Sequence, residues 1–172
     1  KTDLLDNFLK ENKIIGISGI DTRKLTKLLR DNGAQNGCII CDNNLDIKIA
    51  KKSLSKFPGL ENQDLAIEVT TNKNYKWSEG IHNIYNKKPS NIKEKFNVVA
   101  YDFGIKHNIL RILKSFNCNL TVVPADLPAK EVMNLKPDGI FLSNGPGDPK
   151  ACKYAIENIK ILLENNTPLF GI

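Results

Sequence analysis

Apolar and polar positions follow two different grammars along this chain, and the change comes near residue 96. Before it, apolar residues recur mostly at helical spacing. Leu4, Leu5, Phe8 and Leu9 make residues 1–13 an amphipathic helix. Leu25, Leu28 and Leu29 mark one face of a second helix over Thr22–Asn32, opened by Asp21 as a side-chain N-cap and stopped by Gly33. Short apolar runs at 14–20 and 37–41 read as strands. Residues 42–57 carry a weak helical pattern around Leu45, Ile49 and Leu54, closed by Pro58-Gly59. One further strand is expected at 66–70, and residues 72–95, rich in Asn, Lys and Ser, read as an irregular connection.

From Phe96 onward, short apolar runs alternate with amphipathic segments. Strands are expected at 97–101, 119–123, 139–142 and 168–172, with helices at 106–116, 129–135 and 151–164 between them. Strand and helix alternating at this spacing imply right-handed βαβ units. The fold class follows as α/β: the start of an open, mostly parallel sheet with helices on both faces, preceded by the end of a smaller α/β domain. The division is 1–71, a connection at 72–95, and 96–172. A sheet covered on both faces does not finish on an uncovered strand, so the sequence reads as truncated at PLFGI (168–172), which resembles the approach to a nucleophile elbow.

The stretch richest in candidate chemistry is 138–149, DGIFLSNGPGDP. A strand running into Ser143-Asn144-Gly145-Pro146-Gly147-Asp148-Pro149 must turn sharply. Two glycines permit positive φ and leave no Cβ in the way of a ligand. The turn lies at the carboxyl end of a strand, where open α/β sheets bind small molecules.

Composition narrows the function classes. The formal net charge is +6, but 22 of the 25 basic residues are Lys and only Arg23, Arg30 and Arg111 are Arg. Abundant Asn (21 residues) with Lys and Ile points to codon composition rather than a phosphate-binding face, and no dense basic block with interleaved aromatics exists, so nucleic-acid binding is not expected. No apolar run has membrane-spanning length and residues 1–13 lack a signal-peptide core, which predicts a cytoplasmic protein. Cys38, Cys41, Cys118 and Cys152 are too scattered for a disulfide framework. Cys38 and Cys41, on an expected strand, would point to opposite faces, which argues against a metal or redox pair. His82, in the connection, and His107, at a helix start, read as surface histidines.

NVVAYDFGIKHNILRIL (97–113), LTVVPA (120–125), PDGIFLSNGPGDP (137–149) and PLFGI (168–172) resemble the first half of a class I glutamine amidotransferase domain. GIDTRKLTKLLRDNGAQNGCI (19–39), FPGL (57–60), DLAIEVTT (64–71) and YKWSEG (75–80) are similar to the small chain of carbamoyl-phosphate synthase, and IDTRKLT and GAQNG make that resemblance specific. It implies a subunit that hydrolyses glutamine through a Cys thioester, assisted by a His and a Glu, and passes ammonia to a large chain. The large chain would use ATP, Mg and bicarbonate to form carbamoyl phosphate for arginine and pyrimidine synthesis. No cofactor is implied for this chain, and the assembly implied is a higher oligomer of heterodimers.

The resemblance assigns the glutamine-contacting glycines to Gly145 and Gly147, with Gly145 the candidate oxyanion N–H donor, a position where a side chain would collide with substrate. It puts the nucleophile immediately after Ile172, so no catalytic residue lies within 1–172, and these residues alone are expected to be inactive. The basic helix Thr22–Asn32 is a candidate face for the large chain. Three other readings stay open at this stage: a flavodoxin-like module that only binds a partner, the glutaminase of another amidotransferase such as that serving anthranilate or GMP synthesis, and an inactive homologue.

Overall fold

The computed structural model describes residues 4–41, 46–81 and 95–172. The chain separates into two compact units, residues 1–59 and 60–172. The first contains three helices: α1 (Leu5–Glu11), α2 (Thr22–Asn32) and α3 (Ile47–Lys56). Helix α2 begins where its capping residue dictates, with the Lys24 N–H donating to Asp21 Oδ1 at 2.9 Å, and it ends at Gly33, whose φ is 75°. Asp46 caps α3 in the same way through the Lys48 N–H. The strands expected at 14–20 and 37–41 do not form. An extended segment needs a neighbour for its N–H and C=O groups, and the first unit holds no strand among its described residues to provide one.

The second unit is built on one five-stranded sheet in the order β1-β3-β2-β4-β5: β1 (Tyr75–Trp77), β2 (Phe96–Asp102), β3 (Cys118–Pro124), β4 (Gly139–Leu142) and β5 (Leu169–Gly171). All pairs are parallel except the edge pair β1·β3, where Tyr75 faces Val122. Helices α5 (His107–Ser115), α6 (Ala129–Asn134) and α7 (Lys153–Glu164) connect the parallel strands. The mostly parallel α/β sheet expected from the alternation is therefore present.

Side-chain alternation along the strands builds a core on each face. On one, Val99, Tyr101, Val123 and Ile140 pack with Ala129 and Val132 of α6 and Leu162 of α7. On the other, Ala100, Leu120, Val122 and Phe141 pack with Leu110 of α5. Asn158 on α7 ties the first layer together, accepting from the Ala129 N–H at 2.9 Å and donating to the Leu127 carbonyl at 3.0 Å.

Two expectations about residues 60–95 need correction. Residues 66–70 form no strand; Ala66–Val69 is a short helix, α4. Among the described residues, 66–70 pairs with no strand of the sheet. Instead the Asp64 carboxylate accepts the Ile67 N–H at 3.2 Å, and Ala66 is buried against Cys152 and Ala155. The described part of 72–95 is also not wholly irregular, because it contains β1. Trp77 of that strand packs against the α5 face and donates its indole N–H to the Glu79 carbonyl at 2.7 Å.

Because Leu110 is fully buried, Leu110→Ala should lower stability by about 2–5 kcal/mol. Ile112→Ala, on the exposed side of α5, should cost much less. Urea unfolding followed by the fluorescence of Trp77, the single tryptophan, measures both. Equal losses would show that α5 does not pack on the sheet through Leu110.

Candidate functional site

The chain runs from β2 through α5 to β3 on one side, then returns past β2 through α6 to place β4 on the other side. The order therefore reverses between β2 and β4. At such a switch point the connections leave in opposite directions and open a crevice beyond the carboxyl ends of the strands. Two turns meet there: Asp102-Phe103-Gly104 after β2, and Ser143 to Gly147 after β4.

The first turn is organised by Asp102, which is only 7% exposed. Its Oδ1 accepts from the N–H groups of Gly104 (2.9 Å) and Ile105 (2.8 Å), and its Oδ2 from that of Thr71 (3.0 Å). Gly104 has φ 115°, a conformation that glycine alone adopts readily, and a Cβ there would press on Pro146 and Val69. Thr70 adds a second tie, its hydroxyl accepting from the Ala125 N–H at 2.8 Å. Segment 70–71 is thereby fastened across the ends of β2 and β3. Burial first, and then the Asp102 carboxylate, push the Tyr75 phenol above its ordinary range.

The second turn is held against the first. Ser143 is buried; its Oγ accepts from the Phe103 N–H at 2.9 Å and donates to the Asn144 carbonyl at 2.8 Å. The Asn144 amide donates to the Gly104 carbonyl at 3.5 Å, while its own Oδ1 is buried with no partner among the described residues. Gly145 sits so tightly on Phe103 that a Cβ would overlap the Phe103 carbonyl oxygen. The first obstacle to a side chain at Gly145 is thus the neighbouring backbone, before any ligand is considered. Gly147 has φ 82° and faces Gln63 and Leu65 on its other side. The Gly145 and Gly147 N–H groups have no acceptor among the described residues, and both residues are exposed. Two candidate glycines are thereby brought into one turn as exposed backbone donors, at the end of a strand whose neighbour β5 runs alongside, with the Ile172 N–H donating to the Leu142 carbonyl at 3.2 Å.

Sequence reasoning singled out Gly145 and Gly147 but missed Asp102 and Ser143. The only sequence signal for them was position: each is the polar residue that ends or follows an apolar strand just before a glycine-containing turn. His107 is exposed at the start of α5, with its ring 5.0 Å from that of Trp77. His82 lies outside the described residues. Among the described residues no group of three or more His, Cys, Asp or Glu is placed to hold a metal ion, and no helix is long and apolar enough to cross a membrane.

Residues 99–172 match the family model described as glutamine amidotransferase class-I, and residues 1–39 match that of the carbamoyl-phosphate synthase small chain, CPSase domain. The chain is similar to the carbamoyl phosphate synthase small chain of Vibrio parahaemolyticus, at 53% identity over 98% of this chain and 45% of the relative. The small chains of Salmonella typhimurium and Escherichia coli K12 are 53% and 52% identical, each over 99% of this chain and 46% of the relative. The chain spans about half the length of the curated relatives it matches.

Neither cysteine of the second unit is an activated thiol. Cys118 opens β3 and Cys152 precedes α7; both are buried. Burial pushes both thiols up, and the Cys152 Sγ lies 3.4 Å from Asp64 Oδ1, which also accepts from the Tyr154 hydroxyl at 3.3 Å. A raised thiol pKa leaves less thiolate at neutral pH, so alkylation slows. Cys38 and Cys41 are exposed and do not lie on a strand. Iodoacetamide at pH 7.5, read by mass spectrometry, should modify Cys38 and Cys41 first and reach Cys118 and Cys152 only on unfolding. Rapid labelling of Cys152 in the folded protein would contradict its burial.

Proposed function

Because the chain belongs to the family of carbamoyl-phosphate synthase small chains, with a class-I glutamine amidotransferase segment over residues 99–172, we propose that it forms part of a glutamine-hydrolysing subunit. That subunit supplies ammonia to a large chain, which makes carbamoyl phosphate from bicarbonate and ATP with Mg. The observation that carries the reading is the pair of exposed glycines, Gly145 and Gly147, whose N–H groups have no acceptor among the described residues, held at the β2/β4 switch point.

Hydrolysis of the glutamine carboxamide proceeds by attack of a thiolate on the carbonyl carbon, which gives a tetrahedral oxyanion, loss of ammonia to leave a thioester, and cleavage of the thioester by water. The Gly145 N–H serves as an oxyanion donor, an interaction typically contributing about 3 kcal/mol to the transition state. Gly147 contributes to the glutamine contact. The nucleophile is a Cys directly after Ile172. The hydrogen bond from the Ile172 N–H to the Leu142 carbonyl supports that position, because it keeps the chain alongside β4 as far as Ile172, level with the start of the Ser143–Gly147 turn. A His and a Glu from further along complete the triad. Helix α2, with Arg23, Lys27 and Arg30 exposed, offers a basic surface to the large chain.

The test uses the full-length subunit assembled with its large chain. Wild type should form carbamoyl phosphate from either glutamine or ammonia. Gly145→Ala, which forces the turn away from Phe103, should lower the glutamine-dependent rate about 100-fold or more, with the ammonia-dependent rate and the elution volume of the complex unchanged. A wild-type complex that uses ammonia but not glutamine would overturn the assignment. An unchanged glutamine rate in Gly145→Ala would remove Gly145 from the oxyanion site.

A further inference from the structure

The Ser143 hydroxyl bridges two backbone groups, accepting from the Phe103 N–H at 2.9 Å and donating to the Asn144 carbonyl oxygen at 2.8 Å. The second bond governs more than its length suggests. The Asn144 carbonyl and the Gly145 N–H belong to the same peptide unit. In a planar trans peptide the C=O and N–H vectors point in opposite directions. No cis peptide occurs among the described residues. Holding the Asn144 oxygen inward on Ser143 therefore turns the Gly145 N–H outward, to the exposed side of the turn.

From this geometry we propose that Ser143 is a positioning residue of the glutamine site, one that locks the 144–145 peptide with its N–H facing the crevice. The inference rests on the reading of Gly145 as an oxyanion donor. A lock is needed because glycine, with both signs of φ open to it, makes rotation of the adjoining peptide plane inexpensive. A reversed plane would present a carbonyl oxygen where the oxyanion forms, replacing an attraction by a repulsion. The other interactions of this peptide do not prevent the reversal. Among the described residues, the Gly145 N–H has no acceptor and the Asn144 side chain makes one long contact, to the Gly104 carbonyl at 3.5 Å.

The lock is itself anchored. The Phe103 N–H that fixes the Ser143 oxygen belongs to the turn that Asp102 holds through the Gly104 and Ile105 N–H groups. Three hydrogen-bonded steps thus run from a buried carboxylate to the direction of one backbone donor. Ser143 touches no reacting atom in this scheme. Its effect is expressed in the fraction of enzyme whose Gly145 N–H faces the substrate.

The experiment compares wild type, Ser143→Ala and Ser143→Thr in the full-length subunit assembled with its large chain, measuring kcat and KM for glutamine and the ammonia-dependent rate. Wild type must first turn over glutamine; if it does not, the underlying functional reading fails, independently of Ser143. Ser143→Ala should lower glutamine-dependent kcat roughly 10- to 100-fold, as expected when a donor is misdirected in the transition state, with KM changed less than about threefold and ammonia-dependent synthesis unaltered. Ser143→Thr keeps the hydroxyl and should recover most of kcat. Wild-type kcat in an assembled Ser143→Ala complex overturns the proposal, as does a rise in KM at constant kcat, which would mark a ground-state contact. If Ser143→Ala does not assemble, Ser143→Thr decides by the same measurements. Kinetics within threefold of wild type support the lock, and a fall in kcat despite the retained hydroxyl overturns it.

Discussion

Three backbone N–H groups converge on one buried carboxylate, and the crevice depends on that convergence. Asp102 accepts from Gly104 and Ile105, in its own turn, and from Thr71, 31 residues earlier in the chain. Removing a carboxylate from water is unfavourable unless hydrogen bonds replace its hydration, and bonds to a charged acceptor are the stronger kind. The same interaction that offsets the desolvation of Asp102 also selects the turn. With that turn in place, the Phe103 N–H reaches Ser143 and the Phe103 carbonyl leaves room for nothing larger than glycine at 145.

Close approach, as well as positive φ, requires the glycines of this site. Gly104 and Gly147 adopt positive φ, but Gly145 does not need it. Gly145 is required because two turns leaving adjacent strands pack backbone against backbone. Parallel strands lie side by side in register, Ala100 against Phe141 and Tyr101 against Leu142, so the turns that follow them start within a few ångströms of each other. That proximity creates the crevice and, at the same time, excludes side chains from its floor. The chemistry proposed for the floor accordingly uses backbone donors, with Asp102 and Ser143 acting beneath them.

Much of this was legible in the primary structure. The α/β alternation after residue 96 located each strand of the parallel sheet to within about one residue, because their short apolar runs are bounded by turn residues. Helix α2 was legible because capping is local: Asp21 and Gly33 act on the residues beside them. The Ser143–Pro149 turn was legible from composition. The expected strands at 14–20, 37–41 and 66–70 were misread for one reason. An apolar run states only that burial is favourable, whereas a strand also requires an unpaired edge. Residues 14–41 have no strand beside them among the described residues, and at 66–70 the Asp64 side chain caps a helical turn instead.

By itself, the sequence determined local matters: where capped helices such as α2 start and stop, where backbone must turn, and the order of strand and helix that commits the second unit to a parallel sheet. Its motifs also carry the resemblance to class I glutamine amidotransferases and carbamoyl-phosphate synthase small chains. Only the tertiary structure decided which turns meet. Asp102 and Ser143 are 41 positions apart and nothing local joins them; they become neighbours because the chain crosses from β3 past β2 to lay down β4. Their partnership is set by strand order, a property of long-range packing that no short window of residues encodes. For the same reason, the direction of the Gly145 N–H is decided by a turn from another strand rather than by the Gly-Pro-Gly run that contains it.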